Sequence, residues 1–271
     1  MKILFFGDIV GKPGRQAVAK ILPELKQTLK PDLVIANIEN LAHGKGITMS
    51  TLQDLLNSGV GFFTSGNHVY DKPEYKKVFE THGDKIIRPA NFAPDYPGDG
   101  YKVIDVNGQP VLIVNLLGEV FMEKQVDQGS LTSPFQKIDE ILNAQSSKAK
   151  IRILDFHADA TSEKRAMGFW VDGRMSAVLG THTHVPTADA HVLPGGTGYL
   201  TDIGETAAAH SVIGVSAESA LRRFREHDLD RKKVALEIPE DATEFEVSYA
   251  ILEIDEATGK CQNIKSIWSI V

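Results

Sequence analysis

The sequence predicts a mixed α/β protein in which two sheets pack face to face. Three observations carry this reading. Over the first two-thirds of the chain, short apolar runs alternate with stretches of helical periodicity, the pattern of strands paired in parallel through helical crossovers. Two further segments read as hairpins, which adds antiparallel strands. No internal repeat, low-complexity tract or Pro/Ser-rich linker divides the 271 residues, so a single domain over 1–271 is expected.

Ile3 to Phe6 is the first apolar run. Pro13 then stands where the first turn of a helix accepts it, and Val18, Ile21, Leu22, Leu25 and Leu29 follow at helical spacing. "DLVIANIE" reads as a second strand, "STLQDLLNSG" as a polar helix ending at Gly59, and "VGFFTSG" as a third strand. Asp71 suits the cap of a helix with Pro73 in its first turn. "VIDVNGQPVLIVNLLG" is a hairpin with Asn107-Gly108 as its tight turn. A helix near Phe135 to Ala144 leads to the strand "IRILDF", another helix follows Thr161, and "SAVLG" is the next strand. The C-terminal stretch "FEVSYAILEIDEATGKCQNIKSIWSI" is the second hairpin, turning at Thr258-Gly259.

Composition narrows the function classes. Hydrophobic residues make up 42%, ordinary for a globular protein, and no apolar run approaches the roughly 20 residues of a membrane span. The start, "MKILFFGDIV", is too short for a signal-peptide core and reads as a strand. The one cysteine, Cys261, excludes an internal disulfide framework and a cysteine-based metal site, so a cytoplasmic protein is expected. The net charge of −7 argues against duplex nucleic acid as a partner; the one basic stretch, "LRRFREHDLDRKK", is interrupted by acids. A small anionic substrate stays compatible with this charge, because bound metal ions reverse the local field of an acidic site.

Ligands in open α/β sheets collect beyond the carboxyl ends of the strands. Read in order, those ends offer Asp8 in "FFGDIVG", Glu39 and Asn40 in "ANIEN", Asn67 and His68 in "TSGNHVYD", His157 in "ILDFHAD", and His182 and His184 in "VLGTHTH". Each alone has an ordinary structural explanation: a turn, a helix cap, or a buried and satisfied histidine. The His-x-His pair leans the other way, since residues i and i+2 of a strand share one side. Jointly, carboxylates, amide oxygens and imidazoles without a thiolate suit Mn, Fe or Zn in a catalytic site. At least seven candidate ligands exceed what one ion takes, so two ions are expected, an arrangement that clamps displacement at phosphorus and supplies hydroxide near neutral pH.

Three competing readings stay open at this point. Gly7, Gly11 and Gly14, with Glu39 ending the second strand, suggest a dinucleotide-binding domain, although the spacing is G-x-x-x-G-x-x-G. A two-metal hydrolase acting on amides would use the same ligands. A protein whose metal site is regulatory, working as a binding partner, is the third.

The segments "GDIVGKPGR", "IENLAHGKG", "GNHVYDK", "RPANF", "DFHADATSEK" and "GTHTHVPTAD", spread from residue 7 to about residue 204, resemble those of the YmdB-like proteins within the calcineurin-like metallophosphoesterases. The resemblance implies a four-layer α/β/β/α sandwich and a dinuclear phosphodiesterase acting on small phosphodiesters, with 2′,3′-cyclic nucleotides as the substrate class. It implies that Asp8 and Glu39 are shared by two ions, iron or manganese before zinc. Asn40 and His184 would complete one ion; Asn67, His157 and His182 the other. His68 would face the substrate phosphate as general acid or charge stabiliser. Homo-oligomerisation is compatible with the resemblance, but no segment encodes it. Val10 stands where the wider superfamily has a histidine, and Glu39 where it has aspartate; both suit the YmdB-like subgroup. "TDIGETAAAH" lacks the Gly-Pro expected after Thr206, and His210 there reads as a surface histidine. Lys45, Arg88 and Arg174 are given no site role.

Overall fold

Alternation along the first strand decides where the layers go. In the structure, a computed structural model describing residues 1–122, 126, 131–225 and 235–271, β1 (Lys2–Ile9) sends Ile3 and Phe5 to one face and Leu4 and Phe6 to the other. Leu4 and Phe6 pack with Val18 and Leu22 of α1 (Gly11–Leu29), Leu52 and Leu55 of α2 (Met49–Ser58), and Val78 of α3 (Tyr75–His82). Ile3 and Phe5 instead meet Val111 and Ile113 of β5 (Gln109–Leu117), Ile153 of β6 (Ile151–His157) and Leu179 of β7 (Ala177–Thr181). The far face of that second sheet carries Leu112, Val114, Leu154 and Phe156. It is covered by Ile138, Ile141 and Leu142 of α4 (Pro134–Gln145) and Met167 of α5 (Thr161–Trp170). Three apolar cores thus separate four layers, α/β/β/α.

Both sheets are mixed and six-stranded. The first runs β12 (Cys261–Ile270), β11 (Phe245–Ile254), β10 (Glu205–Ala208), β1, β2 (Leu33–Asn37), β3 (Phe62–Thr64). The second runs β4 (Tyr101–Val106), β5, β6, β7, β9 (Gly198–Leu200), β8 (His191–Val192). β1, β2 and β3 are parallel, as are β5, β6, β7 and β9, while the two expected hairpins supply antiparallel edges at β4–β5 and β11–β12. A sixth helix, α6, spans Ala217–Arg225; residues 226–233 of the interrupted basic stretch lie outside the described residues.

β10 completes the first sheet at the carboxyl end of β1. β11 pairs antiparallel with β1 along Lys2 to Phe6, then β10 takes its place, setting Asp8 opposite Glu205 and Ile9 opposite Thr206. Within "TDIGETAAAH", Glu205–Ala208 is therefore a buried strand, and Ala209-His210 the turn that follows it. One further expectation is corrected: Asp71 caps no helix. α3 starts at Tyr75 with Glu74 as its N-cap, because residues 72–75 form a turn closed by Tyr75 N–H donating to Lys72 O.

Candidate metal centre

The strand ends of both sheets open on the same side, and the residues singled out in the sequence meet there. Glu39, Asn40, His68, His182 and His184, with Ile213, line one cleft of about 450 Å³. A larger groove of about 580 Å³ between α1 and α2 holds none of them. Asp8, Asn67 and His157 lie directly beneath, with Asp8 and His157 fully buried.

His157 Nε2 sits 3.1 Å from Asn67 Oδ1, 3.1 Å from His182 Nδ1 and 3.2 Å from Glu39 Oε1. One imidazole nitrogen cannot hydrogen-bond to three partners at once. Atoms bound at about 2.1 Å to a common ion and at right angles to one another lie about 3 Å apart. Glu39, His157 and His182 also converge as a metal-binding group with all ligand atoms within 4.8 Å. The backbone has been cleared for this: a Cβ on Gly66 would fall 2.2 Å from Glu39 Oε2 and 2.4 Å from His157 Nε2.

The tautomer of His157 follows from its other nitrogen. Thr181 Oγ1 donates to Asp155 Oδ1 at 2.7 Å, so it accepts from His157 Nδ1–H at 2.8 Å, and the Nε2 lone pair faces the centre. Asp155 is itself buried and held by Thr64 and Asn37. Sequence reasoning passed over Thr181 and Asp155, although both lie in the quoted segments.

On the other side, Asp8 Oδ2 accepts the backbone N–H of His182 at 3.0 Å, while its buried Oδ1 has no hydrogen-bond partner. Asn40 Oδ1 is likewise buried without one, its amide nitrogen donating to Gly44 O. Leaving such oxygens unmatched costs free energy unless a cation meets them. His184 Nδ1 lies 2.8 Å from Glu205 Oε2, which leaves Nε2 for a ligand. Glu205 was missed because its partner is set by the β1–β10 register, which local patterning does not encode. These oxygens, imidazoles and cleared backbone fit a transition-metal centre.

The His-x-His pair reaches the centre by a different route from the one expected. β7 ends at Thr181, and both histidines follow it with left-handed backbone, φ 97° for His182 and 67° for His184. Strand alternation is not what aims them. The turn is pinned from below by Asp202, which accepts from the Thr183 N–H and hydroxyl and pairs with buried Lys164 at 2.6 Å.

Electrostatics follow from burial. Burial pushes the Asp8 carboxyl up to about 6, with His184 and His157 pulling the other way. Burial would also raise Glu39, but the imidazoles of His157, His68 and His182 outweigh it and hold it well below the usual range. Burial and the neighbouring His157 push His182 down to about 2; burial works to lower His184 as well, yet Glu205 lifts it to about 10. His68 stands at the rim: its backbone N–H donates to Glu39 Oε2 at 2.9 Å, and Nδ1 lies 2.9 Å from Asp71 Oδ2. Asp71 is thus the carboxylate that orients His68.

The glycines of the dinucleotide reading serve packing. A Cβ on Gly7 would lie 1.8 Å from Gly204 O, and one on Gly14 2.3 Å from Thr206 O, so both let β1 and α1 close on the β9–β10 segment. Arg88 donates to the carbonyls of Pro89 and Tyr96, Arg174 pairs with Asp139, and His210 is exposed. Among the described residues no helix is long and apolar enough to cross a membrane.

The family model described as YmdB-like protein matches residues 4–267. A Bacillus subtilis (strain 168) protein named 2′,3′-cyclic-nucleotide 2′-phosphodiesterase is 40% identical over 98% of this chain and 96% of its own. A crystal structure of a Thermus thermophilus protein superposes with a TM-score of 0.89 at 37% identity, over 100% of this chain and 99% of that one. A structure described as a novel phosphatase, from Mycoplasma pneumoniae, gives 0.88 at 31% identity, over 100% and 93%.

Proposed function

The chain belongs to the YmdB-like family, and from that premise we propose that it is a dinuclear-metal phosphodiesterase of small phosphodiesters, with 2′,3′-cyclic nucleotides as substrate. The single observation that carries the reading is the crowding of Asn67, His182 and Glu39 around His157 Nε2 at 3.1–3.2 Å, an arrangement that hydrogen bonding alone does not satisfy. Asn67, His157 and His182 would hold one ion, Asn40 and His184 the other, and Asp8 and Glu39 would serve both. Two bound transition-metal ions, iron or manganese before zinc as the family resemblance implies, would supply a hydroxide near neutral pH and positive charge at the phosphoryl oxygens.

The chain's own residues do the rest. Thr181 and Glu205 fix which imidazole nitrogens face the cleft. Asp71 holds the ring of His68, whose second nitrogen is free to neutralise charge on the phosphoryl group and pass a proton to the departing ribose oxygen. The relative's name supports the cyclic-nucleotide class. The reading is tested by metal analysis of protein purified without added metal, with diester hydrolysis assayed on the same sample. About two ions per chain and cleavage abolished by chelator are expected. Protein that takes up no metal and stays inert with manganese or iron added overturns it.

A further inference from the structure

Ile213 occupies a place its chemistry disfavours. Val212 and Val215 exchange both backbone hydrogen bonds, at 2.8 and 3.1 Å, closing a two-residue turn. Within it Ile213 has φ 47° and Gly214 φ 86°. Positive φ at both central positions marks a type I′ turn, which favours Asn-Gly. The β4–β5 hairpin shows the favoured version, with Asn107 at φ 55° and Gly108 at φ 84°. A β-branched residue in that first position is strained, because its branched side chain crowds the backbone. Burial does not offset this, since Ile213 is 52% exposed.

This exposed residue stands at the rim of the cleft. Ile213 lines it together with His68, His182 and His184, and its carbonyl lies 3.2 Å from His184 Nδ1. Every other residue lining that cleft is polar, charged or glycine. The polar groups account for recognition of the phosphate, and only Ile213 offers a branched hydrocarbon face. Strain kept at an exposed residue beside a reactive centre is a sign of function.

We infer that Ile213 is the platform on which the base of a nucleotide substrate packs, its ring face against the branched side chain. The inference rests on the cyclic-nucleotide reading and names the residue that sets its preference for base-bearing esters. Adenosine 2′,3′-cyclic phosphate and the 2′,3′-cyclic phosphate of 1-O-methylribose share the reacting ring and differ by the base. The ratio of their kcat/KM values measures that preference in manganese-loaded protein. Ile213→Asn is expected to lower the ratio about tenfold, through KM for the adenosine ester, as removal of a small apolar contact does. The same variant installs the favoured turn pair, so its thermal midpoint is expected to rise by about 2–4 °C as the strain is relieved. Ile213→Leu keeps a hydrocarbon face and is expected to keep the ratio.

An unchanged ratio in Ile213→Asn, with wild-type protein cleaving both esters, overturns the assignment and leaves the diesterase reading standing. A ratio that falls equally in Ile213→Leu, together with a lowered thermal midpoint, makes the turn backbone the determinant and overturns it too. Wild-type protein that cleaves neither ester overturns the diesterase reading, and this assignment with it.

Discussion

The two halves of the centre are built differently. Around His157, the ligand atoms of Asn67, His182 and Glu39 stand 3.1–3.2 Å from one nitrogen, backed by Thr181, Asp155, Thr64 and Asn37, all buried. Around His184 the side-chain backing is a single carboxylate, Glu205, and Asp8 Oδ1 and Asn40 Oδ1 have no hydrogen-bond partner. The first half is preorganised by a hydrogen-bond network and the second by a nonlocal strand register. Ion affinity follows preorganisation, so the first half is expected to hold its ion more tightly and the second to exchange it.

The largest effect should erase the comparison. Glu39→Ala removes one of the two carboxylates both halves share, so both ions and at least about 10³-fold in kcat/KM are expected to go together. Metal analysis beside diester kinetics checks this, and an active Glu39→Ala protein would sink the bridging assignment. His68→Ala touches neither half. Its kcat is expected to fall by about 10²–10⁴-fold with metal content near that of the wild type. Loss of metal in that variant would make His68 a ligand.

How much of this could be read in the sequence depends on how local the cause is. Asp8, Glu39, Asn67 and His157 end strands whose apolar runs are plain, so their convergence followed from where strands of an open sheet end. The two sheets were legible in the alternation of strands and helices and in the two hairpins, whereas the four layers came with the family resemblance, because Ile3 to Phe6 is apolar on both faces and feeds two cores. His182 and His184 were found through a mistaken cause: left-handed backbone beyond β7, not strand alternation, aims them. Glu205 and the Lys164–Asp202 pair were invisible because their partners stand 21 and 38 residues away and meet only once helix, strand and loop are packed together. Asp71 was visible but misread, because an aspartate two residues before a proline looks like a helix cap until His68 is seen to claim it.

Smaller changes should separate the halves. Glu205→Ala removes the only side-chain partner of His184 Nδ1 among the described residues. It is expected to weaken one ion about 10- to 100-fold and leave the other in place. Thr181→Val is the counterpart on the other side, freeing His157 Nδ1 and stranding Asp155. Competition titration with a chromophoric chelator should show one weakened ion in each variant, the exchangeable one in Glu205→Ala and the tight one in Thr181→Val. If either variant loses both ions at once, the halves are not independent.

The finest distinction is in protons. A metal ligand must shed its proton before it binds, so the slope of log affinity against pH counts the protons displaced. In the His184 half, Glu205 lifts His184 to about 10 against the pull of burial, and burial lifts Asp8 to about 6. His184 therefore gives up a proton at neutral pH. Asp8 serves both ions, so its proton, present below about pH 6, is displaced by whichever ion binds first. In the His157 half, Glu39 is held ionised by its imidazole neighbours and His182 is neutral, pushed down to about 2. There the charged form of His157 is favoured by Glu39 against burial. The tight ion binds first, so as pH falls below about 6 it is expected to weaken by about 100-fold per unit, with protons from His157 and Asp8, and the exchangeable ion by about tenfold, with one from His184. A steeper slope for the exchangeable ion would show instead that Asp8 belongs to the His184 half alone, and only Glu39 would then be shared.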